Sequence, residues 1–245
     1  MITQHRDGDV AVIEIDRHER RNALDTAHCH DLREALTGEA LIQEARPGHD
    51  SARAIVLTGA GSSFCAGADL KVVYDAAFRD ALYAMLAAVT EVPVPVLAAV
   101  NGPAIGAGAQ LALACDLRIV APEARFAIPA ARLGIAVNPW TIRRLALLAG
   151  TGTAQAVLIG GETLDADAAL RCGLASRLGD RGAALAWARD LSGLAPLSLA
   201  YAKKALNEPD RAELAKDFEA CWASDDAAEG QRARADKRPP RFRGR

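Results

Sequence analysis

Short hydrophobic blocks alternate with longer amphipathic stretches in the first half of the chain. The blocks are rich in β-branched residues and predict strands at residues 10–15, 54–57, 94–100 and 117–120. Between them, apolar residues recur at helical spacing and predict helices over residues 25–45, 70–89 and 105–114. Because helices separate consecutive strands, we expect a mainly parallel sheet with right-handed crossovers.

The pattern changes after about Trp140, where the chain becomes a succession of helices separated by glycines. Helices are predicted over residues 141–149, 153–159, 166–172, 182–194, 197–206 and 211–223. No linker rich in glycine and serine, or in proline, divides the two halves. We therefore predict one α/β domain with a helical extension, with the core at residues 1–190 and the C-terminal helical region at residues 191–245.

Composition and charge narrow the class of protein. Hydrophobic residues make up 51% and charged residues 24% of the chain, so it can bury a full core and remain soluble. The formal net charge of −2 argues against a nucleic-acid binder that relies on bulk electrostatics, and no uninterrupted apolar run is long enough to span a bilayer. Residues 232–245 differ, because seven of them are basic and one is acidic. This segment is either a solvated tail or a local phosphate site.

The cysteines and the first residues bear on the cellular compartment. The five cysteines lie far apart and form no CxxC pair, which favours neither a disulfide framework nor a zinc site. Residues 1–10 are polar and lack the apolar core of a secretory signal. These features predict a cytoplasmic protein with reduced thiols.

Two loops of small residues, 64–70 and 102–108, carry the candidate chemistry. Each follows a predicted parallel strand and precedes a helix, but neither has the ending of a P-loop or the spacing of a dinucleotide fingerprint. Small residues there could simply let a helix pack tightly on a strand. Alternatively, exposed backbone N–H groups could face a developing negative charge. Because ligands bind at the carboxyl ends of parallel strands, the two loops could converge on one oxygen atom.

Five segments together resemble the enoyl-CoA hydratase/isomerase (crotonase) family over nearly the whole chain. They are ERRNAL at 19–24, FCAGADL at 64–70, AVNGPAIGAG at 99–108, Cys115-Asp116, and KRPPRF at 237–242. The resemblance implies a spiral of ββα units with a C-terminal helical oligomerisation region, residues 191–245, in homotrimers or dimers of trimers. It also implies an acyl-CoA ligand, with no cofactor apart from the coenzyme A of that ligand and no metal.

The resemblance assigns roles to particular residues. The backbone N–H groups of Ala68 and Ala107 would form an oxyanion hole. The segments that line coenzyme A in the family match Arg21, Ala23, Leu24, Ala66, Asp69 and Leu70. Lys237 and Phe242 match a terminal motif that reaches the phosphate and adenine of coenzyme A, often from a neighbouring subunit.

Apolar residues near these loops could wall an acyl tunnel or could simply belong to the core. They are Tyr74, Phe78, Leu82 and Met85 at helical spacing, followed by Ile135, Val137 and Trp140. Burial of an acyl chain against such residues would contribute about 0.8 kcal/mol per methylene.

The chain departs from the family at the positions that carry catalytic acids. The two hydratase glutamates correspond to Gln110 and Ala130, and a further acid of some isomerases corresponds to Asn138. None of these side chains titrates near neutral pH, so none can transfer the proton. The backbone N–H groups of the two loops do not depend on which side chains occupy these positions. The sequence therefore predicts that polarisation of a thioester is kept and that proton transfer is lost.

Three functions remain open. The first is a carrier or delivery protein for acyl-CoA in fatty-acid or lipid metabolism, with weak or no hydratase activity. The second is an enzyme, either a hydratase or isomerase with a relocated acid or a decarboxylase of malonyl-type acyl-CoA, whose enolate needs an oxyanion hole but no strong base. The third is an assembly subunit with a protein partner in lipid synthesis. Asp69 and Asp116 are interpreted as structural, and the histidines as surface residues.

Overall fold

The computed structural model describes residues 1–38 and 51–245. A twisted six-stranded sheet runs through it in the order β1-β2-β3-β4-β6-β9. These strands are β1 (Ile2–Asp7), β2 (Val10–Ile15), β3 (Ala54–Gly59), β4 (Val96–Val100), β6 (Leu117–Val120) and β9 (Arg177–Leu178). Only β1 is antiparallel to its neighbour, as expected for a chain in which helices connect the strands.

A second, three-stranded sheet lies beside the carboxyl ends of the main strands. It consists of β5 (Ala104–Ile105), β7 (Arg125–Ala127) and β8 (Leu164–Asp165), in the order β5-β7-β8. Since β5 follows β4 after only three residues, the chain turns directly from the main sheet into this small one. The second candidate loop, residues 102–108, begins in that turn and continues through β5 into α3.

Ten helices occur within the described residues. They are α1 (Thr26–Thr37), α2 (Ala76–Glu91), α3 (Ala107–Ala114), α4 (Pro139–Ala149), α5 (Thr151–Leu158), α6 (Ala166–Arg171), α7 (Arg181–Ser192), α8 (Pro196–Asn207), α9 (Leu214–Trp222) and α10 (Asp225–Ala235). Both faces of the sheet are covered. Ile13 and Leu57 pack into the larger core with α1, α2 and α3, whereas Val12 and Val56 face α7 on the other side. This alternation is the two-residue period of a strand.

Several predicted boundaries were wrong. Helix α2 begins at Ala76 rather than at residue 70, because the backbone turns at Val72 and Asp75 before the helix starts. Helix α3 begins at Ala107, since Ile105 belongs to β5. Helix α10 was not predicted. The predicted helix 25–45 is observed as α1, and residues 39–45 of that prediction lie outside the described residues.

Two arginine side chains donate hydrogen bonds to carbonyl groups at the C-terminal end of α3. The Arg118 side chain is 2% exposed and donates to the carbonyl oxygens of Ala112 and Cys115, at 3.2 and 2.7 Å. Burial lowers the pKa of this guanidinium to about 10, so it remains charged at neutral pH. Arg144 donates from Nε to the carbonyl of Leu113 at 3.1 Å. A positive charge at this end of a helix offsets the partial negative charge of its unpaired carbonyls.

The same end of α3 is tied to the C-terminal helices. Asp116 accepts from the Val96 N–H at 2.8 Å and forms a 2.8 Å ion pair with Lys203 of α8, whose side chain is 7% exposed. Arg144 also donates to the side chain of Asn207 at 3.0 Å. Asp116 is therefore structural, as the sequence indicated, and it links two strand ends to α8.

Candidate functional site

The two candidate loops run side by side at the carboxyl ends of β3 and β4. Cys65 pairs with Ala104 in a parallel bridge, in which the Ile105 N–H donates to the Cys65 carbonyl at 2.9 Å. The first loop also pairs with Leu24, whose N–H donates to the Gly67 carbonyl at 2.8 Å. Three segments that are distant in sequence are thus held together by their backbones.

Glycines allow the close approach of these loops. A Cβ added to Gly108 would lie 2.0 Å from the Cys65 carbonyl oxygen, and one added to Gly102 would lie 2.1 Å from that of Ser62. Gly67 adopts φ +109°, a conformation that disfavours other residues. A Cβ on Gly67 would lie 3.8 Å from the amide nitrogen of Ala107. The peptide that leads into Ala68 therefore lies close to the first turn of α3.

Two N–H groups are free at this meeting point. Within residues 1–38 and 51–245, neither the Ala68 N–H nor the Ala107 N–H donates to a protein acceptor. Ala107 is the first residue of α3, where a helix leaves its N–H groups unpaired. An oxygen atom that reached both donors could be stabilised as it gained negative charge.

Arg17 locks the first loop to the N-terminal segment. Its guanidinium donates to the Ala23 carbonyl at 2.9 Å and to Asp69 Oδ2 at 3.0 Å, and it lies 3.4 Å from Asp25. A hydrogen bond from the Lys71 N–H, and then Arg17, lower the pKa of Asp69. Asp69 thus fixes the loop, but it does not cap α2. No local pattern predicts the role of Arg17, because its partner Asp69 is 52 residues away.

Asn22 is a second structural residue that sequence reasoning missed. Its side chain is completely buried, donates to the carbonyls of Ala60 and Ser63, and accepts from the Arg17 N–H. Asn22 and its neighbour Arg21 both adopt positive φ, at 60° and 51°. This turn exposes the Arg21 side chain beside the first loop.

The proposed coenzyme A residues differ in exposure. Arg21 and Leu70 are exposed, and Ala23, Ala66 and Asp69 are half-buried at the joined loops. The Leu24 side chain is fully buried in the core, so only its backbone reaches the site. A ligand could therefore lie along the first loop but could not contact the Leu24 side chain.

Two of the three acid positions, Gln110 and Asn138, belong to a neutral hydrogen-bonded group. Gln110 is 4% exposed and lies one turn after Ala107 on α3. Its amide is 2.8 Å from the hydroxyl of Thr141, which is also 2.9 Å from Asn138 Oδ1. Ala130, half-buried, begins a short 3-10 turn. In the part of the chain that the structure describes, no carboxylate is bonded to Gln110, Asn138 or Thr141. Thr141 was not identified from the sequence.

Two tyrosines tie the α2 side of the site to the segment that contains Ala130. The exposed Tyr74 hydroxyl donates to the Leu133 carbonyl at 3.0 Å, and the Tyr83 hydroxyl accepts from the Asn138 N–H at 3.1 Å. Trp140 is half-buried against the core. Phe78, Leu82 and Met85 are almost fully buried members of the main core, in agreement with the simpler of the two interpretations.

The terminal motif lies away from the loops of its own chain. The Phe242 carbonyl accepts from Arg53, which immediately precedes β3. The first loop follows the opposite end of that strand, and six strand residues span about 20 Å. The structure therefore does not bring Phe242 to the two loops within one chain. Lys237, exposed at φ 53°, belongs to the same tail.

The basic tail folds back onto α10. Asp226 is 4% exposed and accepts from the backbone N–H groups of Arg243 and Gly244, at 2.6 and 2.8 Å. Glu229 accepts two hydrogen bonds from the Arg238 guanidinium, at 2.6 and 3.0 Å, and one from the Arg241 N–H. The tail is thus anchored by acids of α10, although several of its arginines remain exposed.

Glu229 should titrate well below an ordinary glutamate. Hydrogen bonds from Arg238 and then from the Arg241 N–H hold its pKa at about 2, against about 4.3 in an unfolded chain. Because the folded pKa is the lower one, ionised Glu229 stabilises the docked tail above about pH 4.3, and this contribution is lost as the pH falls through about 2. NMR titration of the side-chain carboxyl carbon measures the pKa. Arg238→Gln should raise it, and a midpoint near 4 in the unmodified protein would contradict the assignment.

The described residues contain neither a metal-binding group nor a membrane helix. In residues 1–38 and 51–245, no cluster of three or more His, Cys, Asp or Glu side chains could hold a metal ion. No helix in the same ranges has the length and apolar character needed to cross a bilayer.

The fold and the site define an α/β protein with free backbone donors at the carboxyl ends of parallel strands. Residues 5–245 match the model of the enoyl-CoA hydratase/isomerase family. The probable enoyl-CoA hydratase echA6 of Mycobacterium leprae is 46% identical over 243 residues, which cover 96% of each chain. The chain belongs to the enoyl-CoA hydratase/isomerase family.

Solved structures agree with this assignment. A putative enoyl-CoA hydratase from Streptomyces coelicolor A3(2) superposes with a TM-score of 0.87 at 33% identity, covering 100% of this chain and 94% of that one. An enoyl-CoA hydratase from Bacillus anthracis also gives 0.87, at 29% identity, covering 100% and 99%. The predicted crotonase-like α/β fold is confirmed.

Proposed function

We propose that this protein binds acyl-CoA thioesters through the N–H groups of Ala68 and Ala107, as a carrier or delivery protein of fatty-acid or lipid metabolism with little or no hydratase activity. One observation supports this above all. The free N–H pair is present, whereas Gln110, Ala130 and Asn138 replace every candidate acid. The ligand would be held and polarised without being hydrated.

Oxyanion stabilisation and proton transfer depend on different parts of the site. A backbone donor in such a site contributes about 3–4 kcal/mol to a developing oxyanion. A positioned general acid or base contributes about 10²–10⁴-fold to a rate. The first contribution depends on the backbones of the two loops, and the second on carboxylates at positions that are Gln110, Ala130 and Asn138 in this chain. Binding should therefore survive where turnover does not.

The names of the relatives favour an active hydratase as the alternative. The protein of M. leprae is named a probable enoyl-CoA hydratase. Such an activity would need an acid from elsewhere in the chain. His28 is a poor candidate, because Nδ1 lies 2.7 Å from Asp25 and Nε2 lies 3.4 Å from the N-terminal amine.

We further propose that the protein is a homotrimer or a dimer of trimers, with residues 191–245 at the subunit contacts. Exposed apolar side chains on α8 and α9 support this, since Leu206 is 77% and Trp222 is 71% exposed. Lys237 and Phe242 would then reach coenzyme A on a neighbouring subunit. The proposal includes, as a partner, a lipid-synthesis protein that receives the acyl group.

Calorimetric titration with palmitoyl-CoA, below its critical micelle concentration, tests the proposal. We expect binding, and weaker binding of butyryl-CoA, because each buried methylene contributes about 0.8 kcal/mol. A parallel assay with crotonyl-CoA should show no hydration above background. Hydration at rates typical of enzymes would overturn the carrier function. Release of CO₂ from malonyl-CoA homologues would favour a decarboxylase, and absence of CoA binding would favour an assembly subunit.

A further inference from the structure

The Asn101 side chain ties the end of β4 to the segment that leads into the first loop. This connecting segment, residues 59–63, joins the end of β3 to the first loop. The Asn101 NH₂ group donates to the carbonyls of Gly59 and Gly61, both at 2.9 Å. Because both N–H bonds go to carbonyl oxygens, the orientation of the amide is fixed. Its Oδ1 is buried and has no hydrogen-bond partner among the described residues, so Asn101 acts there only as a donor.

Asn22 holds two further carbonyls of the connecting segment. Its side chain is completely buried, and its NH₂ group donates to the carbonyls of Ala60 and Ser63, at 2.9 and 2.7 Å. Its Oδ1 accepts from the Arg17 N–H at 3.0 Å, which fixes the orientation of this amide as well. The two asparagines together therefore bind four of the five carbonyls of the connecting segment.

The backbone around Asn22 pairs with the first loop on both sides of Ala68. The Leu24 N–H donates to the Gly67 carbonyl at 2.8 Å, and the Leu24 carbonyl accepts from the Asp69 N–H at 2.7 Å. Leu24 is thus bonded to the residues immediately before and after Ala68. The Ala68 N–H itself donates to no acceptor in the described ranges. The position of this free N–H therefore follows the position of the segment that contains Asn22.

Asn101 connects this arrangement to the other free N–H group. It immediately precedes the second loop, which leads to Ala107 at the start of α3. A continuous set of hydrogen bonds thus runs from Asn101 through the connecting segment to Asn22, and from there to the residues beside Ala68. The two loops also pair directly at Cys65, but that contact lies three residues before Ala68 and does not by itself fix its N–H.

We propose that Asn22 and Asn101 are positioning residues, which hold the Ala68 N–H where it and the Ala107 N–H can reach one thioester oxygen. The inference rests on the proposed binding of acyl-CoA thioesters through these two N–H groups. It adds that recognition of the thioester carbonyl, as distinct from recognition of coenzyme A and of the acyl chain, depends on two side chains that act through the backbone.

Calorimetry with palmitoyl-CoA and S-hexadecyl-CoA, in which a methylene replaces the thioester carbonyl, tests this role. The ratio of the two affinities measures what the carbonyl adds to binding. Asn101→Ala removes both donors, and it should lower this ratio about 3- to 10-fold, which is the worth of one neutral hydrogen bond. Asn22→Gly accepts the observed φ of 60° without strain but also removes its donors, and it should lower the ratio similarly.

Thr58→Val is the matched control. The Thr58 hydroxyl also joins β3 to β4, because it donates to the Ala99 carbonyl at 3.0 Å, and Thr58 is buried like Asn22. Loss of this hydroxyl should lower stability in urea unfolding. It should leave the affinity ratio unchanged, because the Thr58 side chain bonds neither the connecting segment nor the first loop.

The ratio also separates this inference from the proposed function. An unchanged ratio in Asn101→Ala and Asn22→Gly would overturn the role of the asparagines and leave the proposed function intact. An equal fall in Thr58→Val would overturn it too, since any lost link between β3 and β4 would then act alike. If the unmodified protein does not bind palmitoyl-CoA, or binds it no more tightly than S-hexadecyl-CoA, the proposed use of the two N–H groups itself fails. Because each ratio is taken within one variant, a general loss of stability does not imitate the expected result.

Discussion

Replacing Gly108 by alanine should abolish most acyl-CoA binding and lower the free energy of unfolding by about 3 kcal/mol or more. The added Cβ would lie 2.0 Å from the carbonyl oxygen of Cys65 and 2.8 Å from both its carbonyl carbon and its Cβ. No side-chain rotation can relieve this overlap, so α3 and the first loop must separate. That movement would pull the N–H groups of Ala68 and Ala107 apart.

Urea unfolding and palmitoyl-CoA titration measure the two consequences of Gly108→Ala. Gly152 provides a matched control, because it lies inside α5 and a Cβ there meets nothing within 4 Å. Gly152→Ala should leave binding unchanged and raise stability by about 0.4–1 kcal/mol. If Gly108→Ala were as stable as the unmodified protein and bound palmitoyl-CoA equally well, the close approach of the loops would not be what builds the site.

Restoring both glutamates should create a measurable hydratase. In Gln110→Glu with Ala130→Glu, we expect crotonyl-CoA hydration at least about 100-fold above the unmodified protein, since each positioned acid or base contributes about 10²–10⁴-fold. The Thr141 hydroxyl can donate to a carboxylate at position 110, which favours its ionised form. Either substitution alone should do little, because a proton taken by one group must be delivered by the other.

The loss of enoyl-thioester absorbance measures this hydration. Ala130→Gln in the native Gln110 background is the matched control, since it fills the same space with amides that do not titrate. The control should remain inactive. The double-glutamate variant could bind palmitoyl-CoA and still be inactive. The geometry around Ala130 or Asn138 would then differ from that of an active hydratase, in addition to the missing acids.

Features that depend on local patterns could be predicted from the sequence. Four of the main strands, the two small-residue loops and the neutral acid positions follow from periodicity and motif register. Strand β1, with its polar sequence ITQHRD, gave no such pattern because it lies at an edge and is half exposed. The lock between Arg17 and Asp69 joins residues far apart in the chain, and spacing alone cannot predict a pair of that kind. Thr141 was missed for a similar reason, since its partner is 31 residues earlier.

The ion pair between Asp116 and Lys203 bears on how the C-terminal region can be studied. A chain that ends at residue 190 would lose Lys203 and Asn207, and with them the partners of Asp116 and Arg144. Removing one member of a buried pair typically costs about 3–5 kcal/mol. Such a truncation would therefore disturb α3, whose first residue is Ala107, along with any subunit contact. Weaker ligand binding in a shortened chain could come from the loss of the contacts that anchor α3 or from the loss of subunit contacts. Substitutions of the exposed residues Leu206 or Trp222 separate the two effects, because they change a proposed subunit contact and leave the anchoring contacts in place.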